Sequence, residues 1–298
     1  MPAVFRPRRS LLYMPGSNPR ALEKARGLPV DGLIIDLEDA VAAEAKEEAR
    51  GIVAAALAVG GYGFRELVLR VNPLDSPWGH ADLAAAATSP IDAVLLPKVE
   101  SADRVRLTRS LLDALGAPER LAVWCMIETP LGILAVREIA AASPGLAALV
   151  LGTSDLTKDL HALATRDRLP LLTSLGLAML AARAYGLAIL DGVHLDLSDQ
   201  EGFALSCRQG RELGFDGKTL IHPTQIAPAN LAYAPSPEEI QWSRRIIAAH
   251  AEASAGKGVV VIDGKLIEGL HVENARRLLA VAGEIDRITS VDTLGHPV

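Results

Sequence analysis

Cysteine is nearly absent from this chain of 298 residues, with only Cys125 and Cys207 and no CxxC spacing. A disulfide framework and a thiolate zinc knuckle are thereby excluded, and the pair reads as two reduced, buried thiols. An excess of basic charge is missing too: 30 Lys+Arg stand against 36 Asp+Glu, a net charge of −6. Without a basic face, recognition of a nucleic-acid backbone is not expected. No apolar run reaches the roughly 18 residues that span a bilayer. The stretch behind Arg6, Arg8 and Arg9 stops at Pro15-Gly16, short of a signal-peptide core, so the expectation is a soluble cytoplasmic enzyme with no membrane partner. GxSxG and HExxH do not occur, and none of the 7 histidines pairs with another at i, i+4. Gly217-Lys218-Thr219 echoes the end of a phosphate-binding loop, but Glu212 holds the required upstream glycine position. Aromatics make up 4% of the chain, and Trp78, Trp124 and Trp242 are scattered as packing residues would be.

Apolar residues are plentiful, at 50% of the chain with a mean hydropathy of +0.24. Much of this lies in eight β-type runs: 9–14, 32–38, 66–72, 93–99, 121–128, 148–155, 187–193 and 217–222. They recur at intervals of about 30 residues, the size of a βα unit. Most are continuously apolar rather than alternating, as in parallel strands buried on both faces. Ala-rich helical segments fall between them, at 82–87, 101–115, 133–142, 173–184 and 199–213, with Ser101 and either Ser198 or Asp199 as N-caps. The expected fold is α/β, a (β/α)8 TIM barrel with a C-terminal helical arm; a doubly wound open sheet is the rival. The barrel is assigned to 1–228 and the arm to 229–298. Within the arm the sequence predicts a helix over 238–255, a Gly256–Gly258 break, a strand over 259–262, an Asp263-Gly264 turn and a helix over 272–285.

In such a barrel the chemistry sits at the C-terminal ends of the strands. Those ends carry Asp36, Glu38, Asp39, Arg70, Asn72, Lys98, Glu100, Glu128, Ser154, Asp155, Asp191, His194, Lys218 and His222. Glu128 and Asp155 close adjacent strands, and two carboxylates without imidazole or thiolate suit a hard cation such as Mg2+. Arg70 offers a planar fork for a carboxylate or a developing oxyanion. The set describes a site for an oxygen-rich anion held by metal and arginine.

With these residues in place, the chain resembles the CitE-like branch of the HpcH/HpaI aldolase superfamily. The resemblance rests on RRSLLYMPGSNPRALEKA (8–25), IIDLEDAV (34–41), LRVNPLDSPWGHADL (69–83), LLPKVES (95–101), MIETPLGI (126–133), GTSDL (152–156), GFDGKTLIHPTQI (214–226) and DGKLIEGLHVENARRLL (263–279). It implies a barrel assembled as homotrimers or hexamers, with the arm reaching over a neighbouring subunit's site. It further implies Mg2+ on Glu128 and Asp155, Arg70 gripping the substrate, and Glu38 with Asp39 organising the metal's waters. The coenzyme A portion of the substrate is expected near Arg9, Tyr13 and Pro15, with Lys98 at the mouth. The activity implied is a CoA-ester lyase that cleaves a 3-hydroxydicarboxylyl-CoA, such as malyl-CoA or citramalyl-CoA, to acetyl-CoA and a 2-oxo acid. A subunit acting on an acyl carrier protein is a further reading. One departure favours an alternative. Lyases of the family generally carry a catalytic Asp after the GK-[ML]-I turn, where this chain has Glu268. That change, with the wording around it, resembles the S-malyl-CoA thioesterases.

Overall fold

The computed structural model describes residues 6–253 and 260–294. Eight strands form in the expected places: β1 Ser10–Pro15, β2 Gly32–Asp36, β3 Glu66–Arg70, β4 Ala93–Leu96, β5 Ala122–Ile127, β6 Leu146–Leu151, β7 Ala188–Asp191 and β8 Gly217–Leu220. Each runs parallel to the next, and β1 pairs with β8 at Ser10–Lys218, so the sheet closes as a barrel and the open-sheet rival falls away. The described residues fall into two compact units, one over Arg8–Tyr233 and a second built mainly from those after Tyr233.

The apolar runs are continuous because their alternate residues serve two different cores. Leu11, Ile34, Val68, Leu95, Trp124, Met126, Val150 and Leu190 fill the barrel interior. Their neighbours Leu12, Leu33, Ile35, Leu67, Leu69, Val94, Cys125 and Leu149 face the helices. Burying each such side chain contributes about 1.5–3 kcal/mol before chain entropy is counted. Ser101 Oγ caps its helix by accepting from Arg104 N–H, and of the two candidates at the later helix Asp199 is the cap, accepting from Gly202 N–H. The segment expected as one helix over 133–142 is two short helices, Pro130–Leu134 and Val136–Ala140, which meet at Ala135 (φ −93°, ψ 3°).

The boundary expected at 228 moves to Tyr233. It would have cut the helix Ile226–Tyr233, which packs on the helix Gln200–Leu213 and on β1 and β8 as the last barrel helix. Behind β7 and β8 lies a buried ionic cluster: Lys218 Nζ is 2.8 Å from Asp191 Oδ2, and Arg168 Nη1 is 2.7 Å from Asp191 Oδ1. Its two opposing cations hold the Asp191 carboxyl below its ordinary range although burial pushes the other way.

In the second unit the helix Pro237–Ala253 packs against the helix Gly269–Leu294 around Ile246, Val272 and Ala275. Between them β9 (Val260–Ile262) and β10 (Lys265–Ile267) form an antiparallel hairpin. Asp263 and Gly264 turn it with φ values of +50° and +76°, a pair of positive angles that suits a two-residue hairpin loop. The final helix is longer at both ends than the expected 272–285. The expected Gly256–Gly258 break and the flanking residues 254, 255 and 259 lie outside the described residues. Among the described residues no helix is long and apolar enough to cross a membrane.

Candidate active site

The two-residue alternation that fills the barrel also points its polar residues inward. Leu11 is followed by Tyr13, Ile34 by Asp36, Val68 by Arg70, and Trp124 and Met126 by Glu128, each pair on one face. At the C-terminal rim these residues line a cavity of about 340 Å³ together with Asp39 and Asp155.

Arg70 and Asp36 are register partners on β3 and β2, which places their side chains next to each other inside the barrel. Both are buried, and the contact is bidentate: Nε to Oδ1 at 2.7 Å and Nη2 to Oδ2 at 2.5 Å. The expectation that Arg70 presents its planar fork to a substrate therefore needs correcting, because Asp36 fills the fork. What remains is Nη1, 3.1 Å from Glu38 Oε2, 3.6 Å from Asp39 Oδ2 and 3.6 Å from Met126 Sδ. The guanidinium stacks over the Tyr13 ring at 4.9 Å.

Glu38 is held from two sides, by Arg70 and by Lys98 Nζ, which donates to Oε1 at 2.7 Å. Burial raises its pKa, against the pull of Arg70 and Lys98. Burial also works against the Lys98 ammonium, but its bond to Glu38 and the charges of Glu38, Glu128 and Asp39 together outweigh it and the Lys98 pKa is raised. Lys98 Nζ stands 3.8 Å from Asp155 Oδ2 and 3.9 Å from Asp39 Oδ1, so it is the cation around which the rim carboxylates gather.

Glu128 is 2% exposed, and its Oε1 accepts the Lys98 main-chain N–H at 2.7 Å. Lys98 presents that amide from a left-handed backbone (φ +49°), a conformation disfavoured for a residue with a side chain. Burial pushes the Glu128 carboxyl up to about 7, although Lys98 and Arg70 favour the charged form. Asp155 does not end β6 as expected. It lies in the first turn of the helix Thr153–Asp159 and is 30% exposed. Between the two acids sits Gly152, where a Cβ would fall 2.3 Å from Glu128 Cβ and 2.5 Å from its Oε2. Gly152→Ala must displace the carboxylate. We expect the mutant to stay folded while losing about 10²-fold in activity, as for an ångström-scale misplacement, with a parallel loss of Mg2+ affinity on titration. Wild-type values for both would show that Glu128 needs no such placement.

Among the described residues no three His, Cys, Asp or Glu side chains form a ready-made metal cage. The donor set at the rim is a pair of carboxylates, one of them inclined by burial to hold a proton. That fits Mg2+, which takes one or two protein carboxylates and completes its shell with water and substrate oxygens. It does not resemble a zinc site.

Two expected site residues have other partners in the structure. Arg9 precedes β1, so in a parallel barrel it stands at the N-terminal end. There its Nε and Nη2 clasp Asp31, at 2.8 and 2.7 Å, just ahead of β2. A six-residue strand spans about 20 Å, so Arg9 is a stabilising ion pair at the far end from the mouth and not a substrate contact. Glu268 belongs to the second unit, where it is exposed, and its N–H donates to His271 Nδ1 at 2.9 Å. Of the other rim residues, Asn72 is bonded to Leu37 O and Asp82, and His222 caps the short helix Pro223–Gln225. Asp191 and Lys218 face away from the interior. Sequence reasoning does not place Tyr13 or the backbone of Lys98 in this inner cluster; the inward alternation of β1 is the signal that points to Tyr13.

Residues 9–223 match the HpcH/HpaI aldolase/citrate lyase family. The chain is 49% identical over 280 residues to a (3S)-malyl-CoA thioesterase of Cereibacter sphaeroides, covering 94% of this chain and 96% of the relative. It is 38% identical over 281 residues to a citrate lyase subunit beta of Leuconostoc mesenteroides, covering 92% and 93%. Among solved structures it is similar to CitE from Mycobacterium tuberculosis in complex with magnesium, acetoacetate and coenzyme A. That likeness has a TM-score of 0.76 and 32% identity, and covers 92% of this chain and 98% of that one.

Proposed function

The chain belongs to the HpcH/HpaI aldolase/citrate lyase family, and we propose that it is a magnesium-dependent hydrolase that converts the CoA thioester of malate to malate and free CoA. The observation that carries the choice is the 49% identity to a (3S)-malyl-CoA thioesterase over nearly the whole of both chains, against 38% to a citrate lyase subunit. Glu268, in place of the aspartate general to the lyases, supports the same choice.

In this reading Glu128 and Asp155 hold Mg2+, which when bound polarises substrate oxygen and acidifies water. Arg70 directs Nη1 at the acyl oxygen, and its fork is fixed by Asp36 so that no reorientation is needed as charge develops. Lys98 and Arg70 clamp Glu38 and keep the negative rim from repelling itself apart. Asp39, 60% exposed at the edge of the cavity, is the group assigned to take the proton of the attacking water. The water oxygen bonds to the thioester carbon, the carbon–sulfur bond breaks, and the proton held by Asp39 passes to the leaving CoA sulfur. Assembly as a homo-oligomer, with Glu268 carried over a neighbouring mouth, is part of the same proposal.

Carbon–carbon cleavage is the second reading, favoured by likeness to a citrate lyase beta subunit complexed with oxaloacetate and magnesium from M. tuberculosis (TM-score 0.65, 31% identity, covering 77% of this chain and 98% of that one). One incubation separates the two. With Mg2+ and malyl-CoA, the expected result is free thiol with malate and no glyoxylate, lost with chelator and restored by Mg2+. Glyoxylate with acetyl-CoA and no thiol would establish the lyase instead. Neither product would overturn malyl-CoA as the substrate.

A further inference from the structure

We propose that the Tyr13 hydroxyl is a substrate-binding donor, which together with Arg70 Nη1 forms a two-point cradle above Met126 for the carbonyl oxygen of the acyl thioester. Tyr13 and Met126 project inward from β1 and β5, on opposite sides of the barrel, and meet at the floor of the cavity. The phenol oxygen is 3.6 Å from Met126 Sδ, and Arg70 Nη1 is also 3.6 Å from that sulfur. A thioether is a weak acceptor, so the phenol O–H keeps capacity for whatever occupies the floor; Nη1 also lies 3.1 Å from Glu38 Oε2, which takes one of its two hydrogens and leaves the other for the same oxygen. An oxygen seated there receives a hydrogen bond from each.

The ring cannot swing away, because the Arg70 guanidinium stacks on its face and is itself locked by Asp36. The surroundings also keep the phenol a donor. Burial, Asp36, Glu128 and Glu38 all disfavour the phenolate, and only Arg70 opposes them. A neutral O–H beside a guanidinium N–H is the arrangement that stabilises an oxygen gaining negative charge, as the thioester carbonyl does when water adds to it. The inference moves Tyr13 from the coenzyme end, where the family resemblance set it, to the acyl end, and it rests on the thioester reading above.

The test is Tyr13→Phe, which keeps the ring under Arg70 and removes only the hydroxyl. With malyl-CoA and Mg2+, kcat is expected to fall about 10²-fold while KM changes little, the pattern of a bond made chiefly in the transition state. A second readout, independent of turnover, is calorimetric affinity for acetoacetate with Mg2+; this 3-oxo acid offers a carbonyl to the same cradle, and binding should weaken about tenfold in the variant. Unchanged kcat in an active enzyme overturns the cradle and leaves the thioesterase reading intact. Should the wild type not turn over malyl-CoA, the thioesterase reading fails and the cradle is judged by acetoacetate. Weaker binding by the variant upholds it; equal binding, or no binding by the wild type, overturns it.

Discussion

If the proposed reading holds, Glu128→Gln is expected to reduce kcat/KM on malyl-CoA by at least about 10³-fold, because one of the two carboxylates assigned to Mg2+ is lost and with it several kcal/mol of charge stabilisation. The same change should stabilise the protein when metal is withheld. The Glu128 carboxyl is raised by burial from 4.5 to about 7, so the folded state prefers the protonated form. Stability therefore falls as pH rises from the unfolded value through about 7. Above both values the ionised Glu128 costs about 2–4 kcal/mol, since each tenfold change in proton affinity between the folded and unfolded chain is worth about 1.36 kcal/mol. Gln retains an oxygen for the Lys98 N–H and carries no charge to desolvate. In chelator at pH 8 the variant should unfold several degrees above wild type, and near pH 4 the difference should vanish. Saturating Mg2+ should reverse the order, since it stabilises only the protein that binds it. A variant no more stable than wild type in chelator at pH 8 would mean that Glu128 is not a strained, uncompensated charge.

The second large effect concerns stability alone. Asp191→Ala should lower unfolding free energy by about 3–5 kcal/mol, the usual consequence of removing one partner from a buried ion pair. Lys218, which is fully buried, would lose the carboxylate it faces, while Arg168 would keep only Gln209 Oε1 and the Ser206 carbonyl among its partners here. The pH dependence carries a sign of its own. Because the Asp191 pKa lies below its ordinary value, its contribution is complete above the unfolded carboxylate pKa and disappears as pH falls through the lowered one. Urea unfolding at pH 7 should thus separate the proteins widely, and the gap should narrow in strong acid. A loss under about 1 kcal/mol at pH 7 would show that the cluster relaxes or hydrates when broken.

All eight strands are legible in the sequence because burial on both faces leaves an unbroken apolar run that needs no register to be recognised. The mouth acids are legible as well, since the end of each run marks the rim. What escapes depends on closure and direction. Asp36 and Arg70 are 34 positions apart in sequence and become partners only through the register of β2 on β3. Its motif alone makes Arg9 a site residue, although a residue that enters a parallel strand must lie at the opposite end from one that leaves it. The division of 133–142 into two helices turns on the backbone of Ala135, an alanine that gives no local warning.

The main-chain bond from Lys98 to Glu128 bears on how this site can vary over evolutionary time. Had a side chain oriented the acid, one substitution at that position could have removed the bond. An amide survives replacement at position 98 by any residue except proline, so what is inherited there is a backbone shape rather than a functional group. Selection for the shape would be visible as tolerance of glycine. Unrelated side chains at 98 would still leave Glu128 held, while the ammonium could be lost or regained separately.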